Sequence, residues 1–346
     1  MDAINANLPT IWLFLVGFFL LYYVVTDGAD LGVGMLTLVT RNSEEKKVMM
    51  DSIHSIWHGN QTWIVILGGM LFGAFPLFYS IVLSALYIPF IVMLFGFIFR
   101  GVAFEFYDNA EWKPVWLVSF GVGSLLATLG QGFALGGLLG GISVQSDSFA
   151  GHPDDWLNGY SAIAAAGVVA GYIMLGAAYL VARTEGPLQE RSFRLASAAG
   201  FATALISAVI YFATSLLHPS MAGKWLFRGE SVWPSLFLYF FLFLTLGAFA
   251  MYFRSLLRKR QLAPLVWNWL VVIFSFTGLS IGLYPAMIPS VGAAALTVEE
   301  VAASPTTLRF MLVVTLILLP IILTYTSYSY WIFRGKITRD EGYENR

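Results

Sequence analysis

The segment that decides the fold is residues 8–26, LPTIWLFLVGFFLLYYVVT, which carries no charged side chain. A run of about 20 apolar residues is long enough to cross the hydrocarbon core of a bilayer as an α-helix. Similar runs recur along the chain, so the sequence predicts an all-α polytopic membrane protein with nine transmembrane helices. The predicted spans lie near residues 8–26, 60–79, 80–104, 114–142, 160–182, 194–217, 232–254, 263–290 and 308–333.

The composition of the whole chain supports this fold class. Of its 346 residues, 58% are hydrophobic and 11% are charged, whereas roughly a quarter of the residues in soluble domains are charged. The net charge of −1 gives no indication of nucleic-acid binding, and the absence of cysteine excludes disulfides, thiolate metal sites and iron–sulfur clusters. No Lys or Arg precedes the first apolar run, which therefore reads as a retained helix rather than a cleaved signal peptide.

Three details of the topology follow from the pattern of apolar residues. The first helix is expected to continue to about residue 39, because Leu31, Val33 and Leu36 keep it apolar. The second and third spans are expected to form a tight hairpin around Phe75–Ser80. Arg41–His58 is predicted to be an amphipathic segment at the membrane surface.

Basic residues are distributed very unequally between alternate loops. One set of loops holds 15 of the 19 Lys and Arg residues, the other set holds 3, and Arg100 lies inside a span. Because short cytoplasmic loops are enriched in Lys and Arg, the N-terminus is predicted to lie outside and the C-terminus in the cytoplasm. The basic set comprises Arg41, Lys46, Lys47, Lys113, Arg183, Arg191, Arg194, Arg254, Arg258, Lys259, Arg260, Arg334, Lys336, Arg339 and Arg346; the other set comprises Lys224, Arg228 and Arg309.

The first polar cluster is TDGADLGVG, residues 26–34, where Asp27 and Asp30 stand three residues apart. That spacing puts both carboxylates on one face of a helix. Charges within a span are costly, so both are functional candidates. Gly28 and Gly32 form a small-xxx-small face that another helix can approach closely. The alternative interpretation is that the segment marks the membrane surface and that the carboxylates are solvated.

The second polar cluster is WHGNQ, residues 57–61, at the start of the second span. Asn60 and Gln61 place two amides at a helix N-terminus, after Trp57 and Gly59. Histidine side chains take up and release protons, so His58 is able to relay them. The alternative interpretation is a polar cap within an interfacial belt of aromatic residues.

The third polar cluster is FRGVAFE, residues 99–105, at the end of the third span. An arginine at this depth normally needs a carboxylate or propionate partner. Asp27, Asp30 and Glu105 are all expected on the same side of the membrane as Arg100. The alternative is that Arg100 extends along the helix to reach the lipid interface.

Two further features are interpreted as structural. The fourth span contains GQGFALGGLLGG, residues 130–141, whose glycine spacing is typical of close helix packing. Pro285 and Pro289 are expected to kink or end the eighth helix near the outer surface.

The four histidines lie at predicted membrane boundaries: His54 and His58 on the cytoplasmic side, and His152 and His218 in outer loops. A haem held inside a helical bundle usually takes an axial His or Met at membrane depth. The chain is therefore predicted to bind no redox metal itself.

Together the three polar clusters resemble the motifs of cytochrome bd oxidase subunit II, in that family's order and at its spacing. The element from Pro285 to Ser290 and the Tyr-rich ninth helix ending in Arg334-Gly335-Lys336 also fit, so the resemblance covers essentially the whole chain. Residues 99–106 resemble the cyanide-insensitive branch in particular.

The resemblance implies a single membrane domain, residues 1–346, made of two four-helix bundles (about 1–142 and 160–290) and a peripheral ninth helix (308–334). It implies a haem-free subunit of the bacterial cytoplasmic membrane, in an obligate heterodimer with subunit I. Subunit I of the family carries two b haems, haem d and the quinol site. The complex oxidises quinol and reduces dioxygen to water with protons from the cytoplasm, and the isolated chain is expected not to be catalytic. A small accessory subunit, membrane lipids and a structural quinone or lipid are further possible partners.

One departure from the family pattern concerns the proton route. The family often has Asp where this chain has His58, and that carboxylate is thought to help deliver protons toward the oxygen site. His58 is either a substitute relay, or the path depends on Asp27, Asp30 or Glu105. Together with Arg100, these residues are the candidates for the proton pathway.

Two other functions are compatible with the residues alone. A secondary transporter would also have glycine-rich helices and buried charges, although its broken helices usually occur at matching midplane positions in two similar halves. A purely structural subunit would use the same charges only to fix helix packing.

Overall fold

The computed structural model describes residues 2–228, 231–291 and 294–337. Within these ranges the chain forms thirteen helices and two short antiparallel strand pairs. The helices are α1 (Asp2–Val39), α2 (Ser43–His54), α3 (Trp57–Ala74), α4 (Pro76–Ala85), α5 (Tyr87–Tyr107), α6 (Lys113–Gly140), α7 (Gly159–Arg183), α8 (Gly186–Leu217), α9 (Pro219–Trp225), α10 (Trp233–Leu257), α11 (Ala263–Leu283), α12 (Val298–Val301) and α13 (Pro305–Ile332). The strands are β1 (Val144–Gln145), β2 (Ser148–Phe149), β3 (Ala286–Ile288) and β4 (Leu296–Thr297).

Eight of the described helices are long and apolar enough to cross a membrane, and the bent pair α3–α4 raises the number to nine if it counts as one span. The predicted all-α membrane class is therefore confirmed. The first helix continues to Val39, as expected, because its apolar sequence does not stop at the carboxylates. The predicted amphipathic character of this segment is confirmed, since α2 buries Met49 and Ile53 and exposes Glu44. Its location at the membrane surface stays a prediction.

The predicted hairpin around Phe75–Ser80 is wrong. The chain bends by 119° between α3 and α4, and α4 is a separate helix of 10 residues before α5 begins. Pro76 favours this arrangement, because proline fits the first turn of a new helix and has no N–H to continue the previous one. Helix α3 therefore ends at Ala74 and α5 begins at Tyr87, whereas the sequence predicted a single boundary near residue 80.

Helix α1 packs against α3, α6 and α7. Its closest approach to α7 is at Gly32, where an added Cβ would lie 1.8 Å from the backbone oxygen of Tyr172. An added Cβ at Gly28 would lie 2.8 Å from the Tyr172 ring. The prediction that these two glycines form a helix-packing face is confirmed, because no larger side chain fits between the two backbones.

The glycine-rich part of α6 also packs closely, as predicted. An added Cβ at Gly130 would lie 2.5 Å from the Pro89 oxygen of α5, and one at Gly132 would lie 2.5 Å from Ala165 Cα of α7. Helix α6 is thus held tightly between its two neighbours.

The eighth apolar helix, α11, ends at Leu283, seven residues before the predicted end at residue 290. Pro285 and Pro289 follow it, which confirms that this proline pair stops the helix. The carbonyl of Pro289 accepts a hydrogen bond of 2.8 Å from Ile142 N, so the segment joins the loop after α6.

The loops between the helices lie on two opposite faces of the protein, as contacts between helix ends show. On one face, Arg191 Nη2 donates a 2.6 Å hydrogen bond to the Val39 carbonyl, and Lys336 Nζ donates a 2.8 Å bond to Glu185 Oε1. We call this the basic face; it carries residues 40–56, 108–112, 184–185, 258–262 and 333–337. On the opposite face, Ala303 N donates a 2.9 Å hydrogen bond to the Ala74 carbonyl. This grouping matches the alternation of loops used to predict orientation, although Arg339 and Arg346 lie outside the described residues.

The assignment of the basic face to the cytoplasm remains a prediction, as does the division into two four-helix bundles and a peripheral helix. Helix α13 contacts α3 and α1 and leaves most of its apolar surface exposed.

Candidate functional site

A buried ion pair links α1 to α5. The Arg100 guanidinium donates through Nη2 to Asp27 Oδ1, and both side chains are 0% exposed. The structure thus selects one of the three carboxylates proposed as partners of Arg100. The interpretation that Arg100 extends to the lipid interface is wrong, since its side chain points into the protein.

The second carboxylate of α1 has a neutral partner. Asn60 Nδ2, in the first turns of α3, donates a 2.8 Å hydrogen bond to Asp30 Oδ2. Both residues are fully buried, so the interpretation that the carboxylates of α1 are solvated is wrong. The other end of the amide is also engaged, because the Tyr330 hydroxyl of α13 donates a 2.9 Å hydrogen bond to Asn60 Oδ1.

Several polar atoms of this cluster have no hydrogen-bond partner among the described residues. They are Asp27 Oδ2, Asp30 Oδ1, and Arg100 Nε and Nη1. Buried polar groups in proteins are almost always hydrogen-bonded. A cluster with spare donors and acceptors at one place is suited to exchanging a proton or to ordering a small polar molecule.

A second polar chain lies beside the ion pair and crosses three helices. Gln131 Nε2 of α6 donates a 2.8 Å hydrogen bond to the Tyr23 hydroxyl of α1, and the Tyr172 hydroxyl of α7 donates a 2.7 Å bond to Gln131 Oε1. Tyr23 lies one helical turn from Asp27. This chain therefore ties α1, α6 and α7 together next to the carboxylates.

The boundary with the basic face is formed by the second and third polar clusters. His58 Nε2 lies 3.9 Å from Glu105 Oε1, with side chains 75% and 68% exposed. The Trp57 ring separates this pair from the interior: its centroid lies 3.7 Å from that of His58, 4.8 Å from that of Phe104, and 6.0 Å from the Arg100 guanidinium carbon. His58 and Glu105 are thus one aromatic ring away from the buried ion pair.

The remaining motif residues have local roles in the structure. Gln61 follows Asn60 on α3, and its Oε1 is buried without a hydrogen-bond partner among the described residues. A Cβ added at Gly59 would meet no atom within 4 Å, so no close contact requires this glycine. Pro285 and Pro289 follow the end of α11 at the face opposite the basic face.

Helix α2 lies on the basic face and packs against α1, α6 and α7. Its backbone is held by a 2.6 Å hydrogen bond from the Tyr179 hydroxyl to the Ser52 carbonyl. Burial raises the pKa of Asp51 above its ordinary value, and Lys47 opposes this shift in part.

Three of the four histidines are exposed, and the fourth is half-buried. His54, His58 and His152 are exposed, and His218 Nε2 donates a 2.6 Å hydrogen bond to the Leu139 carbonyl. Among the described residues, no group of three or more His, Cys, Asp or Glu side chains is placed to hold a metal ion.

The sequence interpretation missed four residues of this region. Gln131 stands within the glycine-rich stretch that was assigned to packing alone, and Tyr330 stands in a helix predicted to be peripheral. Tyr23 and Tyr172 are tyrosines in apolar spans. A polar side chain within an apolar run was the available signal for Gln131, whereas tyrosines are too common at membrane boundaries to be informative.

Comparisons with known proteins agree with the resemblance seen in the sequence. The family model for cytochrome bd terminal oxidase subunit II matches residues 8–333. Cytochrome bd-I ubiquinol oxidase subunit 2 of Escherichia coli strain K12 is 32% identical over 370 residues, covering 96% of this chain and 95% of the relative. Cytochrome bd ubiquinol oxidase subunit 2 of Bacillus subtilis strain 168 is 28% identical over 352 residues, covering 97% and 98%. In fold, the chain is similar to a chain of the bd oxidase from Geobacillus thermodenitrificans, with a TM-score of 0.75 at 16% identity, covering 94% and 98%.

Proposed function

The chain belongs to the family of cytochrome bd terminal oxidase subunit II, and from this premise we propose that it is the haem-free subunit that supports subunit I and carries part of its proton supply. As a family member it is an integral membrane component of an oxidoreductase complex. The proposed reaction of that complex is quinol oxidation coupled to reduction of dioxygen to water. The observation that supports the proton role best is the presence of two buried carboxylates, Asp27 and Asp30, with a single buried arginine that pairs with only one of them.

The charges of the buried cluster assign different roles to the two carboxylates. Arg100 contacts Asp27 directly, so this pair is neutral as a whole. Asp30 contacts the uncharged amide of Asn60. A second ionised carboxylate in a low-dielectric interior would be an uncompensated charge, which is expensive. Asp30 is therefore the group that takes up and releases a proton, and Asp27 is the fixed counter-ion of Arg100.

The proposed entry for protons is the exposed pair His58 and Glu105 on the basic face. Both side chains reach solvent, and both are of types that bind and release protons. The Trp57 ring stands between them and Arg100, so a proton has to pass the edge of this ring to reach the cluster. Transfer across this layer requires water or a movement of side chains, because no hydrogen bond between His58 and Asp30 is present in the described part of the chain.

Asp30→Asn tests the proton role in the complex purified with subunit I. We expect oxygen consumption to fall at least about tenfold while the haem content stays unchanged, because the amide keeps the shape of the side chain but cannot carry a proton. Asp108→Asn is the matched control: the same chemical change at an exposed residue on the basic face. Unchanged turnover in Asp30→Asn would favour the purely structural alternative.

Haem spectra test the haem-free proposal. The chain produced alone should lack haem bands, and these bands should appear when subunit I is produced with it. A stoichiometric haem b in the isolated chain would contradict the proposal. The transporter alternative would require substrate uptake into vesicles that contain this chain without subunit I. A small accessory subunit and a structural quinone or lipid remain predictions.

A further inference from the structure

The last long helix, α13, contributes one hydroxyl group to the buried cluster. Helix α13 is mostly exposed, with Tyr325 and Tyr328 66% and 58% exposed. Tyr330 differs from them, because its hydroxyl reaches into the protein and donates to Asn60 Oδ1 at 2.9 Å. Since Asn60 Nδ2 donates to Asp30 Oδ2 at 2.8 Å, one amide joins the helix to the carboxylate.

The orientation of this amide decides which form of Asp30 is hydrogen-bonded. An asparagine side chain has a donating and an accepting end of nearly equal shape, so its orientation depends on its partners. With N–H toward Asp30, the amide stabilises the carboxylate. With the oxygen toward Asp30, the two oxygens repel each other unless the carboxyl group carries a proton. The Tyr330 hydroxyl donates to the amide oxygen. In the reversed orientation the amide N–H would face this hydroxyl, whose own proton would lose the Asn60 oxygen as its acceptor, so the hydroxyl favours the first orientation.

We propose that Tyr330 is a positioning residue for the reaction of the complex, which fixes the Asn60 amide with its N–H toward Asp30 so that Asp30 can release the proton it takes up. This inference rests on the proposed proton role of Asp30. The role of Tyr330 is indirect, because its hydroxyl acts on Asp30 through the Asn60 amide.

The hydroxyl is not needed to hold α13 in place, because other contacts anchor both ends of the helix. Near its start, Trp12 Nε1 donates a 3.0 Å hydrogen bond to the Leu308 carbonyl. Beyond its end, Lys336 pairs with Glu185 at 2.8 Å, and Ile337 N donates a 3.0 Å hydrogen bond to the carbonyl of the last residue of α7. Removing the Tyr330 hydroxyl should therefore change the orientation of the Asn60 amide and leave the packing of α13 unchanged.

Tyr330→Phe in the complex with subunit I tests this role, with Tyr328→Phe as the matched control on the same helix. For Tyr330→Phe we expect oxygen consumption to fall about fivefold, the equivalent of one hydrogen bond of ordinary strength, with unchanged haem content, thermal midpoint and KM for quinol. The infrared C=O band of protonated Asp30, identified by its loss in Asp30→Asn, should shift in Tyr330→Phe and stay in place in Tyr328→Phe. In an Asn60→Leu background, Tyr330→Phe should cause no further loss.

The outcomes separate this inference from the function on which it rests. If Asp30→Asn lowers turnover while Tyr330→Phe changes neither turnover nor the band, the positioning role is overturned and the proton role of Asp30 stands. Equal losses of turnover, haem and thermal stability in Tyr330→Phe would also overturn it, because they would indicate a docking role. If Asp30→Asn has no effect on turnover, the proposed function itself fails.

Discussion

Replacing Arg100 with methionine would test how much of the stability of this membrane protein depends on its buried ion pair. Methionine keeps the unbranched apolar stem of the side chain and removes the guanidinium group with its positive charge. Because both side chains are 0% exposed, the change leaves Asp27 as an uncompensated charge inside the helix bundle. Losing one partner of a buried pair costs about 3–5 kcal/mol.

The lower end of that range applies here. Arg100 makes one hydrogen bond to Asp27, through Nη2 alone, and its Nε and Nη1 have no hydrogen-bond partner among the described residues. A loss of about 3 kcal/mol corresponds to roughly a 100-fold change in the folding equilibrium, since about 1.4 kcal/mol is tenfold. Adding Asp27→Asn to Arg100→Met removes the second charge as well, so the double variant should be more stable than Arg100→Met alone.

The assay is the thermal midpoint of the purified complex, followed by the fluorescence of the 11 Trp residues of this chain, together with the yield of assembled complex. The control is the exposed pair Lys259 and Glu190, whose side chains are 56% and 58% exposed. Exposed pairs contribute about 0–1 kcal/mol, so Lys259→Met should barely change the midpoint. The reasoning would be refuted if the effects of Asp27→Asn and Arg100→Met were additive, or if the double variant were less stable than both.

Three further changes have defined outcomes. In Gly32→Ala, the new Cβ would lie 1.8 Å from a backbone oxygen of α7, so the helices would have to separate by about 1.6 Å to reach an ordinary contact of 3.4 Å. The yield of assembled complex should therefore collapse. The control is Gly59→Ala, whose Cβ would have no atom within 4 Å and whose yield should equal that of the native protein. His58→Ala should slow oxygen consumption with intact haem content and thermal midpoint, because the side chain is 75% exposed; equal turnover over a range of pH would remove it from the pathway. Asp51→Asn should raise the thermal midpoint at neutral pH. Burial raises the pKa of Asp51 in the folded state, so between the ordinary and the raised pKa the folded state binds more protons than the unfolded state. The free energy of unfolding of the native protein therefore falls as pH rises through that window, and the Asp51→Asn variant lacks this loss. Midpoints measured against pH should converge below about pH 4, and a constant difference would contradict this explanation.

The polar clusters show what could be predicted about the site from the sequence. Asp27, Asp30 and Arg100 were identifiable because charged residues in an apolar span are rare and costly, whatever the rest of the structure is. The choice of Asp27 over Glu105 as the partner of Arg100 was not predictable. The two residues of the ion pair are 73 positions apart in the chain, and their meeting depends on the rotation of α1 and α5 about their own axes.

The amide and the tyrosine show the limits of sequence interpretation more clearly. Asn60 was assigned to a boundary motif, but the structure buries it and joins it to Asp30. Tyr330 is 270 positions from Asn60, on a helix whose composition indicates only contact with lipid. The Tyr330 hydroxyl reaches Asn60 because this residue lies on the side of α13 that faces α3. Tyr328 on the same helix has the same side chain but is 58% exposed.

Residues 8–26 and the similar runs after them determined that this is a membrane protein and predicted nine spans, because crossing a bilayer depends on the length and polarity of a local segment. The same local chemistry identified the glycines of the helix-packing faces and the proline pair that ends α11. Only the tertiary structure decided that α4 replaces a hairpin, that Arg100 pairs with Asp27, and that Tyr330 completes the Asp30 cluster. Those features depend on how helices bend, rotate and cross, and such contacts are made between residues that no local pattern connects.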